Sequence, residues 1–328
     1  MNRVLTTIVL VFTLMSVGVV SGQDSHLRVV ATTTILADVA QQVGGELVDV
    51  TTLVPANSDV HAFEPTPQVV QQIADADVVL VVGIGLESFM GDLVDNAASV
   101  QPKVVSNGIE MLAFGEHGSD GENAMGMLGD EGVCEDAHHD EAEAHEEEHE
   151  HGSCDPHVWT DPTNVMVWAN NIAEIYGAVD TAHADVYRAN AEQYIETLKA
   201  LDAEVTDILT VIPDGRRKLV TNHEFFGYFA HHYGFEIVGV VVEGGTTLAE
   251  ADPQQLTALA QTIKEAQVPA IFIEFSANPQ LAQAVADETG VSVITSIYSD
   301  SLSEADGPAS TYADYMRYNA RAIAEGLK

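Results

Sequence analysis

The chain has 328 residues, of which 46% are hydrophobic, and a formal net charge of −39 with histidine neutral. This length excludes a single small module, and this apolar content is enough for buried cores, which excludes a globally disordered chain. The acidic surface repels nucleic acid phosphates and anionic lipid and attracts cations, so we expect no nucleic acid partner.

The first 22 residues have the layout of a secretory signal peptide. Arg3 supplies a short positive region, residues 4–20 are apolar and uncharged, and small residues lead to a cleavage position after Gly22. We therefore expect a signal peptide at 1–22 and a mature protein exported to a periplasmic or other extracytoplasmic space. The alternative is an uncleaved anchor helix, since this apolar stretch is near the lower length limit for a membrane span. No cysteine lies near the cleavage position, so we expect no lipoprotein cysteine and a protein free in that space.

Apolar β-type runs alternate with helical patterns in the first part of the mature chain. We predict a helix at 35–43, a short helix that opens at Thr66-Pro67, and strands at 27–33, 48–54 and 78–82. Strands that alternate with helices predict a parallel sheet covered on both faces.

The pattern changes to almost unbroken helix between residues 164 and 211. The segment 182–211 has no glycine or proline and carries apolar residues at helical spacing. About 30 helical residues span roughly 45 Å, which is long for a globular domain. A core helix is one interpretation, but the position between two series of strands and helices favours a connecting helix.

A second series follows, with predicted strands and helices in alternation. The strands are predicted at 218–221, 236–242, 270–274 and 291–295. The helices open at Asp252-Pro253, at Asn278-Pro279 and near Pro308.

These elements predict an α/β fold with two lobes, each with a mainly parallel sheet flanked by helices, joined by one long linker helix. We place the N-terminal lobe at 23–180, including an acidic, His-rich loop at 115–153, the linker helix at 181–211 and the C-terminal lobe at 212–328. Ligands of such sheets bind beyond the C-terminal ends of the strands, so a site is expected in the cleft between the lobes.

Three histidines and one aspartate lie where this fold places ligand loops. His61 follows the second strand, His157 precedes the long helical region, His223 follows the strand at 218–221, and Asp300 follows the last strand. Three neutral imidazoles and one carboxylate suit tetrahedral Zn²⁺, and they would also hold Mn²⁺ with less selectivity. Taken alone, a loop histidine is more often a surface group or a helix cap than a ligand, and spacing does not show that the four converge.

Longer segments surround these residues and appear in a specific order. They are DVHAFEPTP at 59–67, DPHVWTDP at 155–162, NHEFFGYFAHHYGF at 222–235, IFIEFSANPQLAQAVADETG at 271–290 and YSDSLSEADGPASTYADYMRYN at 298–319. Together they resemble the metal-specific solute-binding proteins of ABC importers, the zinc and manganese group that includes ZnuA- and TroA-like proteins. The similarity covers nearly the whole mature chain.

The resemblance implies a metal held between two α/β lobes joined by a rigid helix. The ligands of the family's motifs fall on His61, His157, His223 and Asp300. Manganese-type members tend to carry glutamate at the third position, where this chain has His223. Because Glu224 stands next to it, a shift of one place in the match would change the argument about the metal.

The segment 115–153 is acidic and contains six of the 13 histidines of the chain. One interpretation of this segment is a solvated charged spacer, and the other is a segment that weakly captures or senses Zn²⁺. The second is favoured because similar zinc-type proteins have a His-rich loop at this point in the chain. The residues proposed for this secondary, low-affinity metal binding are His138, His139, His145, His149 and His151.

The only two cysteines of the chain are Cys134 and Cys154, which bracket the second half of this segment. We favour a disulfide between them because of the exported compartment, and thiolate metal ligands are the alternative. In the chain-entropy model, such a disulfide would stabilise the folded chain by about 3 kcal/mol.

The residues and the resemblance together predict an exported, high-affinity zinc-binding protein, not an enzyme. It would capture Zn²⁺ and deliver it to an ABC-type metal permease in the membrane, and we expect a monomer. A manganese-type or mixed protein is the alternative. Histidines bind metal in their neutral form, so the affinity is expected to fall below about pH 6.5.

Two functions of other classes remain open at this stage. An exported zinc hydrolase would keep three ligands and use Glu64 or Glu224 as general base, although the chain has no HExxH and no GxSxG segment. A stand-alone zinc buffer or surface adhesin would bind the metal without an importer.

Overall fold

The computed structural model of the chain describes residues 26–90, 100–114, 154–242, 247 and 253–328. The first half of this part contains four strands and two helices. The strands are β1 (Leu27–Ala31), β2 (Val48–Thr52), β3 (Val78–Val81) and β4 (Lys103–Val104), and the helices are α1 (Thr34–Gly44) and α2 (Pro67–Asp75). The strands form one parallel sheet in the order β2-β1-β3-β4.

Two helices follow, α3 (Pro162–Val179) and α4 (Ala184–Leu209), and a second sheet comes after them. Its strands are β5 (Lys218–Thr221), β6 (Glu236–Val240), β7 (Ala270–Glu274) and β8 (Ser292–Ile297). The sheet is parallel with the order β6-β5-β7-β8, so both lobes have the same topology. The remaining helices are α5 (Gly227–Tyr233), α6 (Pro253–Ala266), α7 (Gln280–Thr289) and α8 (Tyr312–Leu327). The predicted fold class is confirmed.

The residues that precede three of the helices carry common helix-start signals. The Thr33 hydroxyl accepts the Leu36 N–H at the start of α1, and Thr66 precedes a proline in the first turn of α2, as predicted. The helix predicted at Asn278-Pro279 begins at Gln280, whose N–H is accepted by the Asn278 side chain.

Successive residues of the strands face two different cores because side chains alternate across a sheet. Val29 and Leu80 of the first sheet, and Leu219 and Phe272 of the second, share one large apolar cluster with α3, α4 and α8. The intervening residues pack into two smaller clusters, one for each lobe. A single core therefore runs from one lobe to the other.

The helical stretch predicted at 164–211 is divided into α3 and α4. Asp180 ends α3, and its carboxylate accepts the Nδ1–H of His183 at 2.6 Å and the hydroxyl of Tyr187 at 2.9 Å. These bonds fix the short turn into α4, whose 26 residues span about 39 Å. The division of the chain into lobes at 181–211 remains our proposal.

None of the helices in the described ranges is both long enough and apolar enough to cross a membrane. The predicted signal peptide at 1–22 lies outside those ranges.

Candidate metal site

Loops at the C-terminal ends of the strands carry three of the four predicted ligands. His61 lies in the loop after β2, His223 two residues after β5, and Asp300 three residues after β8. His157 directly precedes a short 3-10 helix, Val158–Thr160, that leads into α3. Parallel strands present their C-terminal ends at one edge of the sheet, so the second lobe offers both His223 and Asp300 from one edge.

The structure brings these four side chains together between the two sheets. One ligand atom from each of His61, His157, His223 and Asp300 lies within 4.8 Å of the others. The Nε2 atoms of His61 and His157 are 3.3 Å apart, and the Asp300 carboxylate oxygens lie 3.6 to 3.8 Å from the three Nε2 atoms. A tetrahedron with metal–ligand bonds of about 2.1 Å has edges of about 3.4 Å, so this spacing fits one small cation.

All four side chains are withdrawn from solvent, with exposed fractions of 3% or less. Among the described residues, the Nε2 atom of His223 has no hydrogen-bond partner although it is buried. A buried polar atom without a partner is costly, and a bound cation would supply one.

Carboxylates hold the far side of two of the imidazole rings. Nδ1 of His157 lies 2.7 Å from Oδ1 of Asp155, and Nδ1 of His223 lies 3.1 Å from Oε1 of Glu274. An ionised carboxylate only accepts hydrogen bonds, so Nδ1 carries the hydrogen in both rings. This leaves Nε2 of both rings as the atom directed into the cluster.

Burial and charge shift the pKa values of the second-lobe groups. Burial alone would lower the pKa of His223, but the charge and hydrogen bond of Glu274, with the charges of Asp300 and Asp59, raise it to about 9. Burial would raise the pKa of Glu274, but the charge of His223 and hydrogen bonds from its neighbours lower it to about 2. Burial raises the pKa of Asp300 to about 8.

Glu274 and Asp155 were not identified as site residues from the sequence. Glu274 ends the otherwise apolar strand Ala270–Glu274, and it is 1% exposed. A charged residue at the end of a fully buried strand was the signal that could have revealed it.

The other sequence-predicted positions lie elsewhere. The cluster contains His223 and not its neighbour Glu224, and Glu64 is exposed at the surface. His138, His139, His145, His149, His151 and Cys134 are outside the described residues. Cys154 is buried and is not a member of the cluster, and its predicted bridge to Cys134 remains a prediction.

Comparison with known proteins gives the family. The family model described as ZnuA, "Zinc-uptake complex component A periplasmic", matches residues 29–326. The chain belongs to this family. Its resemblance to ZnuA- and TroA-like solute-binding proteins is thereby confirmed.

Relatives and solved structures agree with this membership. The chain is 31% identical to the manganese-binding lipoprotein MntA of Halalkalibacterium halodurans, over 94% of this chain and 90% of that protein. It is 30% identical to the manganese ABC transporter substrate-binding lipoprotein PsaA of Streptococcus anginosus, over 94% and 90%.

Two solved structures have the same fold. The periplasmic zinc-binding protein TroA of Treponema pallidum matches with a TM-score of 0.74 and 26% identity, over 92% of this chain and 99% of that one. The Mn-bound periplasmic metal-binding protein of Candidatus Liberibacter asiaticus matches with the same TM-score and identity, over 92% and 100%.

This ZnuA-family chain is therefore a metal-binding solute-binding protein of an ABC transporter, and it delivers metal to the membrane permease. The expectation that it is not an enzyme is confirmed, because the family consists of solute-binding proteins. The expected export is supported.

One expectation about location is wrong. The position of the cysteines predicted a protein free in the exported space, without a lipoprotein cysteine, whereas the relatives are named lipoproteins. A lipid anchor keeps a binding protein close to its permease, so freedom from the membrane does not follow from export.

Proposed function

We propose that this protein captures Zn²⁺ with His61, His157, His223 and Asp300 and hands it to the ABC permease. The observation that carries the proposal is the convergence of three imidazole Nε2 atoms and one carboxylate within 4.8 Å. Three nitrogen donors and one oxygen donor suit Zn²⁺, whereas Mn²⁺ prefers oxygen-rich, higher coordination.

The position of His223 supports zinc further. Its Nε2 atom faces the cluster. The resemblance implies that manganese-type proteins have a glutamate oxygen at this position instead of an imidazole nitrogen. The hydrogen bond from Nδ1 to Glu274 makes this imidazole a more basic and stronger nitrogen ligand.

A manganese or mixed specificity is the second candidate, and two observations favour it. Several relatives are named for manganese. In addition, both oxygens of Asp300 face the imidazoles, Oδ1 toward His157 and Oδ2 toward His61 and His223. A bidentate carboxylate would raise the coordination number to five, closer to what Mn²⁺ accepts.

The acidic segment 115–153 is proposed to raise the local concentration of zinc or to sense its excess through weak binding. Its histidines and carboxylates are a suitable composition for several weak zinc sites. A disulfide between Cys134 and Cys154 is proposed to anchor this segment next to Asp155 and His157.

Native mass spectrometry of the exported chain, titrated with Zn²⁺ and Mn²⁺, tests the proposal. We expect one Zn²⁺ ion to stay bound under mild chelation and further Zn²⁺ ions to bind more weakly. The His61→Ala variant should lose only the tightly bound ion. His26→Ala is the matched control, because His26 is exposed and pairs with Asp49 away from the cluster. A His61→Ala variant that keeps its tight metal contradicts the ligand set, and Mn²⁺ that displaces Zn²⁺ contradicts the metal.

A further inference from the structure

Glu274 has a central position among the residues of the second lobe. It is the last residue of β7, and β7 lies between β5 and β8 in the sheet. The loop after β5 carries His223, and the loop after β8 carries Asp300. The end of β7 is therefore the one strand end that adjoins both second-lobe ligand loops.

The Glu274 carboxylate accepts a hydrogen bond from each of these loops. Its Oε1 atom accepts Nδ2–H of Asn222 at 2.8 Å and Nδ1–H of His223 at 3.1 Å, and its Oε2 atom accepts the Ser299 hydroxyl. Asn222 directly precedes His223, and Ser299 directly precedes Asp300. One buried carboxylate thus connects the two loops and contacts one ligand ring itself.

We infer that Glu274 is a positioning residue for metal retention, an inference that rests on the proposed function. It holds the His223 ring so that Nε2 faces the metal, and it fixes the Asp300 loop through Ser299. Outer groups that orient metal ligands typically change metal affinity by about 10–100-fold when they are replaced. We expect an effect of that size from Glu274.

A second glutamate, the partly buried Glu87, distinguishes positioning from general stability. Glu87 also accepts three hydrogen bonds, from the Thr32 hydroxyl and from the N–H groups of Val82 and Gly83. These partners shape a first-lobe loop and include none of the four clustered residues. Glu87→Gln therefore repeats the chemical change, replacement of one hydrogen-bonded carboxylate by an amide, at a place without a link to the metal.

The experiment compares Glu274→Gln and Glu87→Gln with the unmodified chain. Zinc affinity is measured by competition with a coloured chelator, metal-free stability by urea unfolding, and ligand geometry by the visible absorption of bound Co²⁺. We expect Glu274→Gln to weaken zinc binding about 10–100-fold and to change the Co²⁺ spectrum. We expect Glu87→Gln to lose stability while its zinc affinity stays within about threefold and its Co²⁺ spectrum is unchanged.

If Glu274→Gln folds poorly, a second pair of variants with smaller changes gives the same test. Ser299→Ala removes the hydroxyl that bonds to Oε2 and to the Asp300 carboxylate, and we expect a loss of several-fold in zinc affinity. Its control is Ser106→Ala, because the buried Ser106 hydroxyl accepts the Trp168 indole N–H away from the cluster.

The outcomes distinguish the positioning role of Glu274 from the proposed zinc-binding function. Glu274→Gln that binds zinc as tightly as the unmodified chain overturns the positioning role and leaves the zinc-binding proposal intact. Equal losses of affinity in Glu274→Gln and Glu87→Gln also overturn it, since the effect is then one of general stability. An unmodified chain without tight zinc overturns both.

Discussion

The pH dependence of zinc binding follows from the charges around His223 and Asp300. In the metal-free site both groups have raised pKa values, about 9 and about 8, so at pH 7 both hold a proton. A metal ion must displace these protons before Nε2 and the carboxylate can bind it. Zinc affinity is therefore low below these pKa values and rises as the pH rises through them.

The magnitude can be worked out for the window between pH 7 and pH 9. A group with a pKa of about 9 becomes about 50-fold more available over that range, and a group with a pKa of about 8 about tenfold more. The zinc affinity should therefore rise by at least about tenfold and by up to about 500-fold. Three histidines with ordinary pKa values near 6.5 would give only about a twofold rise.

Competition titrations at pH 7, 8 and 9, corrected for protonation of the chelator, measure this rise. Calorimetry in buffers of different ionisation enthalpy adds the number of protons released, which should lie between one and two per zinc at about pH 7. Glu274→Gln removes the charge that raises the pKa of His223, so its profile should be flatter. A flat affinity between pH 7 and 9, with no proton release at pH 7, would refute the charge assignment.

Two further predictions concern parts of the chain away from the four clustered residues. Deletion of residues 137–152 should abolish the weak zincs seen by native mass spectrometry and leave the tight one. Loss of the tight zinc would show that this segment contributes to the cleft site. Trp159→Phe removes the indole N–H that donates to the Ser299 carbonyl at 3.0 Å in a fully buried setting, and it should cost about 1–3 kcal/mol in urea unfolding. An unchanged free energy of unfolding would contradict the importance of that contact between the lobes.

Strong local patterns made most of the fold predictable. The strands Lys218–Thr221 and Ala270–Glu274 are found with the predicted bounds, because an apolar run with clear flanking signals leaves little freedom. The strand Lys103–Val104 was not predicted, since two exposed residues carry no periodicity and owe their conformation to pairing with β3.

The site was predictable to a different extent. The convergence of His61, His157, His223 and Asp300 joins residues more than 60 positions apart in the chain. The predicted fold placed them in ligand loops, and the resemblance favoured one shared site. The pairing of His223 with Glu274 could not be read from spacing, because it arises where two neighbouring strand ends meet. Because this pairing could not be foreseen, the sequence predicted that zinc affinity falls only below about pH 6.5. The charge of Glu274 raises the pKa of His223, so the affinity is expected to fall at a higher pH.

The apolar cluster shared by the two lobes limits how this protein can release its cargo. A wide separation of the lobes would expose that cluster to water. Each 100 Å² of apolar surface exposed would cost about 2.5 kcal/mol. The metal site needs far less movement, since the clustered ligand atoms lie within 4.8 Å of one another and a displacement of about 1 Å is enough to break a bond of about 2.1 Å. The shared core thus acts as a mechanical stop, and we expect the permease to free the ion by a slight tilt of one lobe against the other.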